Sequence, residues 1–99
     1  MNPSVSPAAA HFGDRVRRAR LDLGLSQESI AELAQMHVTN YGKIERGLAN
    51  PSLVTILRIA SVLGTDVPSL TEGLSRDDLP AEFDVLTAAE FLDERRRRR

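Results

Sequence analysis

Residues Ser26 to Gly47 read SQESIAELAQMHVTNYGKIERG. Ser26 is a strong N-cap, because a serine oxygen accepts a hydrogen bond from the unpaired N–H groups of a first helical turn. After Gln27, the apolar Ile30, Ala31 and Ala34 recur on one helical face. Gln35, Met36 and His37 then interrupt the pattern as a turn. A second helix is predicted from Val38, with Tyr41 and Ile44 turned inward at i, i+3 and with Val38, Thr39, Gly42 and Lys43 on the opposite side. Gly47 ends it, since glycine readily takes the left-handed conformation that closes a helix. The stretch is two short helices and a tight turn, with polar side chains along the outer face of the second.

The same local signals continue outward. Ser6 and Pro7 have the form of an N-cap and a first helical residue, so a first helix is predicted from there to Leu23, with Phe12, Val16, Ala19 and Leu23 as its core stripe and Gly24 as its stop. Downstream, the loop Leu48 to Pro51 leads to Ser52. It caps a helix whose Leu53, Ile56, Leu57, Ala60 and Leu63 are expected to face the core before Gly64 ends it. Asp66 caps a short fifth helix from Val67 to Glu72, where Pro68 is tolerated in the first turn, and Gly73 ends the domain. The predicted organisation is a disordered N-terminus over residues 1–6, an all-α five-helix domain over 7–74, and an appendage over 75–99.

Two helices joined in this way are the layout of a helix-turn-helix, whose second helix lies in the DNA major groove with its N-terminal half at the base edges. The flanks carry the reading further. An arginine-rich first helix ends in Gly24-Leu25-Ser26-Gln27; Ile44-Glu45-Arg46-Gly47 closes the recognition helix; Asn50-Pro51-Ser52-Leu53 precedes the fourth. In that order and spacing, from Phe12 to Leu74, these segments closely resemble the family of phage repressors and Cro proteins, the xenobiotic-response-element type of bacterial transcription regulators. The resemblance implies a lambda-repressor-like fold that binds double-stranded DNA. It also implies that Gln27 binds a backbone phosphate and braces the recognition helix, that Arg20 and Glu45 form a structural ion pair between helices 1 and 3, and that the fifth helix supplies a dimer contact, here through Val67, Leu70 and Leu74. Leu48 and Ala49 depart from the family's basic loop, which leaves Asn50 and the loop N–H groups for phosphates.

On the groove-facing side Lys43 lies one turn after Thr39, placed for guanine or phosphate. Thr39 suits a base edge or a thymine methyl, and Val38 the methyl alone. His37, Asn40 and Arg46 join Gln27, Val38, Thr39, Lys43 and Asn50 in the candidate DNA-binding set. Gly42 is unusual there, since glycine inside a helix costs about 1 kcal/mol relative to alanine. It either lets the helix approach the bases closely or is simply tolerated.

Composition bounds the alternatives. The 99 residues suit one small core without disulfides or metal, and the absence of cysteine suits a reducing compartment. No apolar run approaches the roughly 18 residues that span a bilayer, and MNPSVSPAAAH has neither the basic start nor the apolar centre of a signal peptide. A cytoplasmic protein without membrane association is expected. The net charge of −1 hides an uneven distribution: residues 12–73 carry seven basic and seven acidic side chains, 74–94 one basic and seven acidic, and 95–99 are all arginine. A neutral domain predicts weak non-specific DNA binding and a modest salt dependence, with Arg15, Arg17, Arg18, Lys43 and Arg46 concentrated near one surface.

Catalysis has little support. The two histidines, His11 and His37, have no neighbours at metal-ligand spacing, no glycine-rich phosphate loop or nucleophile motif is present, and the acidic run at 77–84 has no apolar pocket around it. Neither an enzyme nor a cofactor or metal site is expected.

The appendage begins as an acidic linker broken by Pro80. Thr87-Ala88-Ala89-Glu90 has the form of a capping box, and Leu86 with Phe91 of a hydrophobic staple, so a sixth helix of about ten residues is predicted, too short to be stable undocked. Phe83, Val85, Leu86, Phe91 and Leu92 therefore need a surface, and Phe91 joins the dimerisation candidates. Since a single module buries too little surface for typical specific affinity, the expected assembly is a homodimer on an inverted-repeat operator, acting as a repressor or autoregulator. The alternative is an antitoxin whose residues 75–99 capture a protein partner while the helix-turn-helix represses their shared operon.

Overall fold

Side-chain caps open five of the six α-helices among the described residues, which are 4–98 of a computed structural model. The oxygens of Ser6, Ser26, Ser52 and Asp66 accept from the N–H three residues on, and so start α1 (Pro7–Leu23), α2 (Gln27–Leu33), α4 (Leu53–Leu63) and α5 (Val67–Thr71). Thr87 and Glu90 cap each other at the start of α6 (Ala88–Arg97). The recognition helix, α3 (Val38–Glu45), begins at His37 with no side-chain cap bond. The architecture is all-α, as the capping and periodicity imply. Of the N-terminal stretch expected to be disordered, residues 1–3 lie outside the described residues; Val5 donates its N–H to the Gly47 carbonyl at 2.8 Å and Ser6 caps α1.

The core joins α1 to α5. Phe12 and Val16 of α1, Ile30 and Ala31 of α2, Tyr41 and Ile44 of α3, Ile59, Ala60 and Leu63 of α4 and Leu70 of α5 form one buried cluster. Burying a side chain of the size of Ile59 or Val16 contributes about 1.5–3 kcal/mol. α1 crosses tightly over the end of α3. A Cβ at Gly13 would lie 2.2 Å from the Ile44 carbonyl oxygen and 2.7 Å from that of Glu45, so this crossing admits glycine alone.

Two stripes differ from the sequence expectation. Leu23 lies on the exposed side of α1. In α4 the core face is Ile59, Ala60 and Leu63, with Ile56 half-buried, whereas Leu53, 67% exposed, and Leu57 stand outside with Val54. LVTILRIASVL is apolar nearly all round, so its periodicity allows more than one inward face, and packing against α1, α2 and α5 selects between them.

After α5 the chain passes through a short 3-10 turn, Arg76–Asp78, into the extended linker. Arg76 donates to the Val85 carbonyl and pairs with Glu90, which ties the linker to the start of α6. Residues 81–98 are exposed throughout, and α6 leaves Phe91 and Leu92 uncovered. The Cα radius of gyration is accordingly 16.8 Å, against about 13 Å for a compact chain of this length.

Candidate nucleic-acid interface

The recognition helix is fixed from behind by one carboxylate. Glu45, the last residue of α3, has a side chain only 1% exposed, and three donors converge on it. Arg20 of α1 donates from Nε to Oε2 at 2.7 Å and from Nη2 to Oε1 at 3.0 Å, while Gln27 of α2 donates from Nε2 to Oε1 at 2.9 Å. Arg20 also reaches the Leu25 carbonyl at 2.9 Å. Burial pushes the Glu45 carboxyl up, and its polar neighbours, Arg20 foremost and then Tyr41 and Gln27, outweigh it, so the group titrates below the usual carboxylate range. The same ion pair raises the Arg20 guanidinium, and burial raises the Tyr41 phenol beside it. One buried ion thus connects α1, the start of α2 and the end of α3.

With Tyr41, Ile44 and Glu45 buried, α3 presents Val38, Thr39, Asn40 and Lys43 to solvent, with Arg46 just beyond its end. Thr39, Lys43 and Arg46 lie at i, i+4 and i+7, one stripe along the helix. His37, Asn40, Lys43 and Asn50 share an open groove between the start of α3 and the loop before α4. Gln27 stands at the other edge, half-buried, with its amide nitrogen on Glu45. Gly42 does not stand open on the outer face as its helical position suggests: it is buried beneath Arg46 and Gln27.

Other expected positions are redistributed. Arg15 donates to the Leu70 carbonyl at 3.1 Å, which ties α1 to α5, and Arg18 pairs with Asp14 along its own helix at 2.9 Å. Arg17 stays exposed. Among the dimerisation candidates Leu70 is corrected: it is 3% exposed and belongs to the protein's own core, because the inward face of a five-residue helix has room for one anchor. Val67 and Leu74 are half-buried and Phe91 is exposed.

Arg58 was not singled out in the sequence, yet it holds the helix-turn-helix turn in place. From α4 it donates through Nε to the Ala34 carbonyl at 2.9 Å and through Nη2 to the Gln35 carbonyl at 2.6 Å. The available signal is a lone arginine inside an otherwise apolar helix, where a charge needs acceptors.

Relatives place this geometry among known proteins. The helix-turn-helix family profile matches residues 16–70. A prophage-derived HTH-type transcriptional regulator of Bacillus subtilis, YonR, is 32% identical over 74 residues, which is 75% of this chain and 64% of YonR. The crystal structure of the restriction-modification controller protein C.AhdI from Aeromonas hydrophila superposes with a TM-score of 0.61 at 40% identity, over 63% of this chain and 94% of that one. That of SinR, a master regulator for biofilm formation in complex with DNA, superposes with a TM-score of 0.57 at 32% identity, over 60% and 95%. With its two-helix unit, its second helix fixed from behind and a family match over more than half its length, the chain belongs to the helix-turn-helix family.

Proposed function

We propose that the chain recognises a specific double-stranded DNA site through α3, as a homodimer on an inverted repeat in the cytoplasm, and represses or autoregulates the genes beside that site. The observation that carries the reading is the exposed stripe of Thr39, Lys43 and Arg46 on a helix locked from behind at Glu45. Such a helix meets base edges without first being ordered. Gln27 and His37 are assigned to backbone phosphates, with Asn40, Asn50 and Val38 completing the surface. Dimerisation supplies the area that one module lacks, through Val67, Leu74 and the apolar face around Phe91. C.AhdI, a restriction-modification controller, and YonR, a prophage-derived regulator, suggest the kind of operon concerned.

Binding titrations on a duplex selected from a random pool, and on its scrambled counterpart, test the reading. Thr39→Ala and Lys43→Ala are expected to weaken the selected site by about 1–3 kcal/mol each, while Gln27→Ala weakens all duplexes similarly. Unchanged affinity for the Lys43 variant rejects the groove assignment. The neutral charge of the domain predicts a modest salt slope.

A second reading is favoured by α6, whose Phe91 and Leu92, with Phe83, Val85 and Leu86 before it, have no covering surface among the described residues. As an antitoxin, the chain would use this appendage to capture a toxin. Truncation after Asp84 would then spare operator binding and dimerisation and abolish capture, whereas loss of the dimer assigns the appendage to a second copy. An arginine arm on DNA predicts a third result: deleting Arg95–Arg99 weakens selected and scrambled duplexes alike and lowers the salt slope by about 0.9 per lost phosphate contact.

A further inference from the structure

Gly42 occupies the middle of the recognition helix, where glycine is disfavoured relative to alanine. What buries it is two polar side chains. A Cβ at this position would come 3.1 Å from Nη1 of Arg46, 3.9 Å from its Cζ, and 3.4 Å from Oε1 of Gln27. Arg46 follows one turn later and leans back toward the helix N-terminus, as long helical side chains do. Its guanidinium therefore lies over the bare backbone of Gly42. Gln27 is held beside it by the bond from its Nε2 to Glu45 at 2.9 Å, with Oε1, an acceptor, toward residue 42 and the second Nε2–H left to donate to a phosphate. Among the described residues, Arg46 has no acidic partner.

We propose that Gly42 is a positioning residue for DNA binding: the missing side chain is a seat that holds the Arg46 guanidinium against the recognition helix next to Gln27, so that the two address the same backbone phosphate as a preformed clamp. The proposal rests on the reading that α3 binds DNA. The chemistry fits, since a guanidinium is a planar fork that meets phosphate through two hydrogen bonds. Holding a long arginine in its bound rotamer removes an ordering cost otherwise met on association. A methyl group on residue 42 presses on Nη1, the flexible end of a side chain, so the guanidinium shifts by a few tenths of an ångström out of its register with Gln27 while the helix stays intact.

The test uses the full chain, Gly42→Ala, Arg46→Ala and the double variant, with thermal melts and salt-dependent titrations on selected and scrambled duplexes. Gly42→Ala is expected to hold or raise the melting temperature while weakening both duplexes. Arg46→Ala should weaken both and lower the slope of log K against log salt by about 0.9. In the Arg46→Ala background, Gly42→Ala should then cost nothing more, since the two substitutions remove one interaction. Wild-type affinity for Gly42→Ala overturns the proposal, as does an equal loss in both backgrounds, which would mean that the methyl group crowds the DNA directly. A fall in melting temperature for Gly42→Ala also overturns it, because the neighbour would then be rigid. If neither Arg46→Ala nor Lys43→Ala changes binding, the DNA reading of α3 fails first and is distinguished from a failure of the seat.

Discussion

Arg58 of α4 hydrogen-bonds the carbonyl of Gln35 at 2.6 Å, and Gln35 is the one non-glycine residue of positive φ, 57°, among the described residues. The turn between α2 and α3 is therefore a strained residue fastened from outside by a charge. A left-handed conformation costs an L-residue about 1–2 kcal/mol, and the greater unfolded freedom of glycine returns part of that on substitution. Gln35→Gly is accordingly expected to stabilise the domain by about 0.5–1 kcal/mol, seen as a rise of several degrees in the melting temperature. Arg58→Met removes both bonds to the turn and is expected to cost about 1–3 kcal/mol. A melt unchanged by Arg58→Met would show that water replaces the guanidinium without loss.

Arg20 and Glu45 behave as a buried pair, with side chains 11% and 1% exposed. Removing one partner strands the other charge away from water, at about 3–5 kcal/mol. Arg20→Met should therefore lower the melting temperature by well over ten degrees. A shift of one or two degrees would place the pair among exposed ones, which contribute under about 1 kcal/mol.

The same carboxylate sets a pH dependence. Because the folded-state pKa of Glu45 lies below its unfolded value, its stabilisation is complete above the unfolded value of about 4.3 and is lost as pH falls through the folded one. The melting temperature should stay level through the weakly acidic range and fall below it. Glu45→Gln should start lower at neutral pH and lose less on acidification. Parallel acid limbs for the two proteins would show that other carboxylates govern the transition.

At the α1–α3 crossing, Gly13→Ala forces a methyl group into the 2.2 Å space before the Ile44 carbonyl oxygen. Both neighbours are backbone, so the helices must separate and the Arg20–Glu45 geometry with them. A loss of about 1–3 kcal/mol or more is expected, together with weaker DNA binding. Wild-type stability in a chemical denaturation series would show that the crossing can open without penalty.

Most helix boundaries were legible because their causes are local. Ser6, Ser26, Ser52, Asp66 and Thr87 each satisfy an N–H three residues away, and Gly24 and Gly64 take the left-handed conformation at the ends of α1 and α4. The position of Thr39 and Lys43 on the outer face of α3 followed from the same arithmetic, with Tyr41 and Ile44 as the apolar reference. None of this required knowing which helices meet.

Tertiary structure decided what depends on neighbours far along the chain. In α4 several stripes are equally apolar, and contact with α1, α2 and α5 chose Ile59 over Leu53 and Leu57. Leu70 was a plausible surface anchor until the end of the core closed over it. Arg58 reaches back 23 and 24 residues to the carbonyls of Gln35 and Ala34, and Arg15 reaches 55 forward to that of Leu70. Gly42 reads as an exposed helix position until Arg46 and Gln27 fold over it. Capping and periodicity are properties of a few consecutive residues and are therefore written in the sequence; a choice among apolar faces, or the partner of a long cation, is settled only when distant segments compete for the same space.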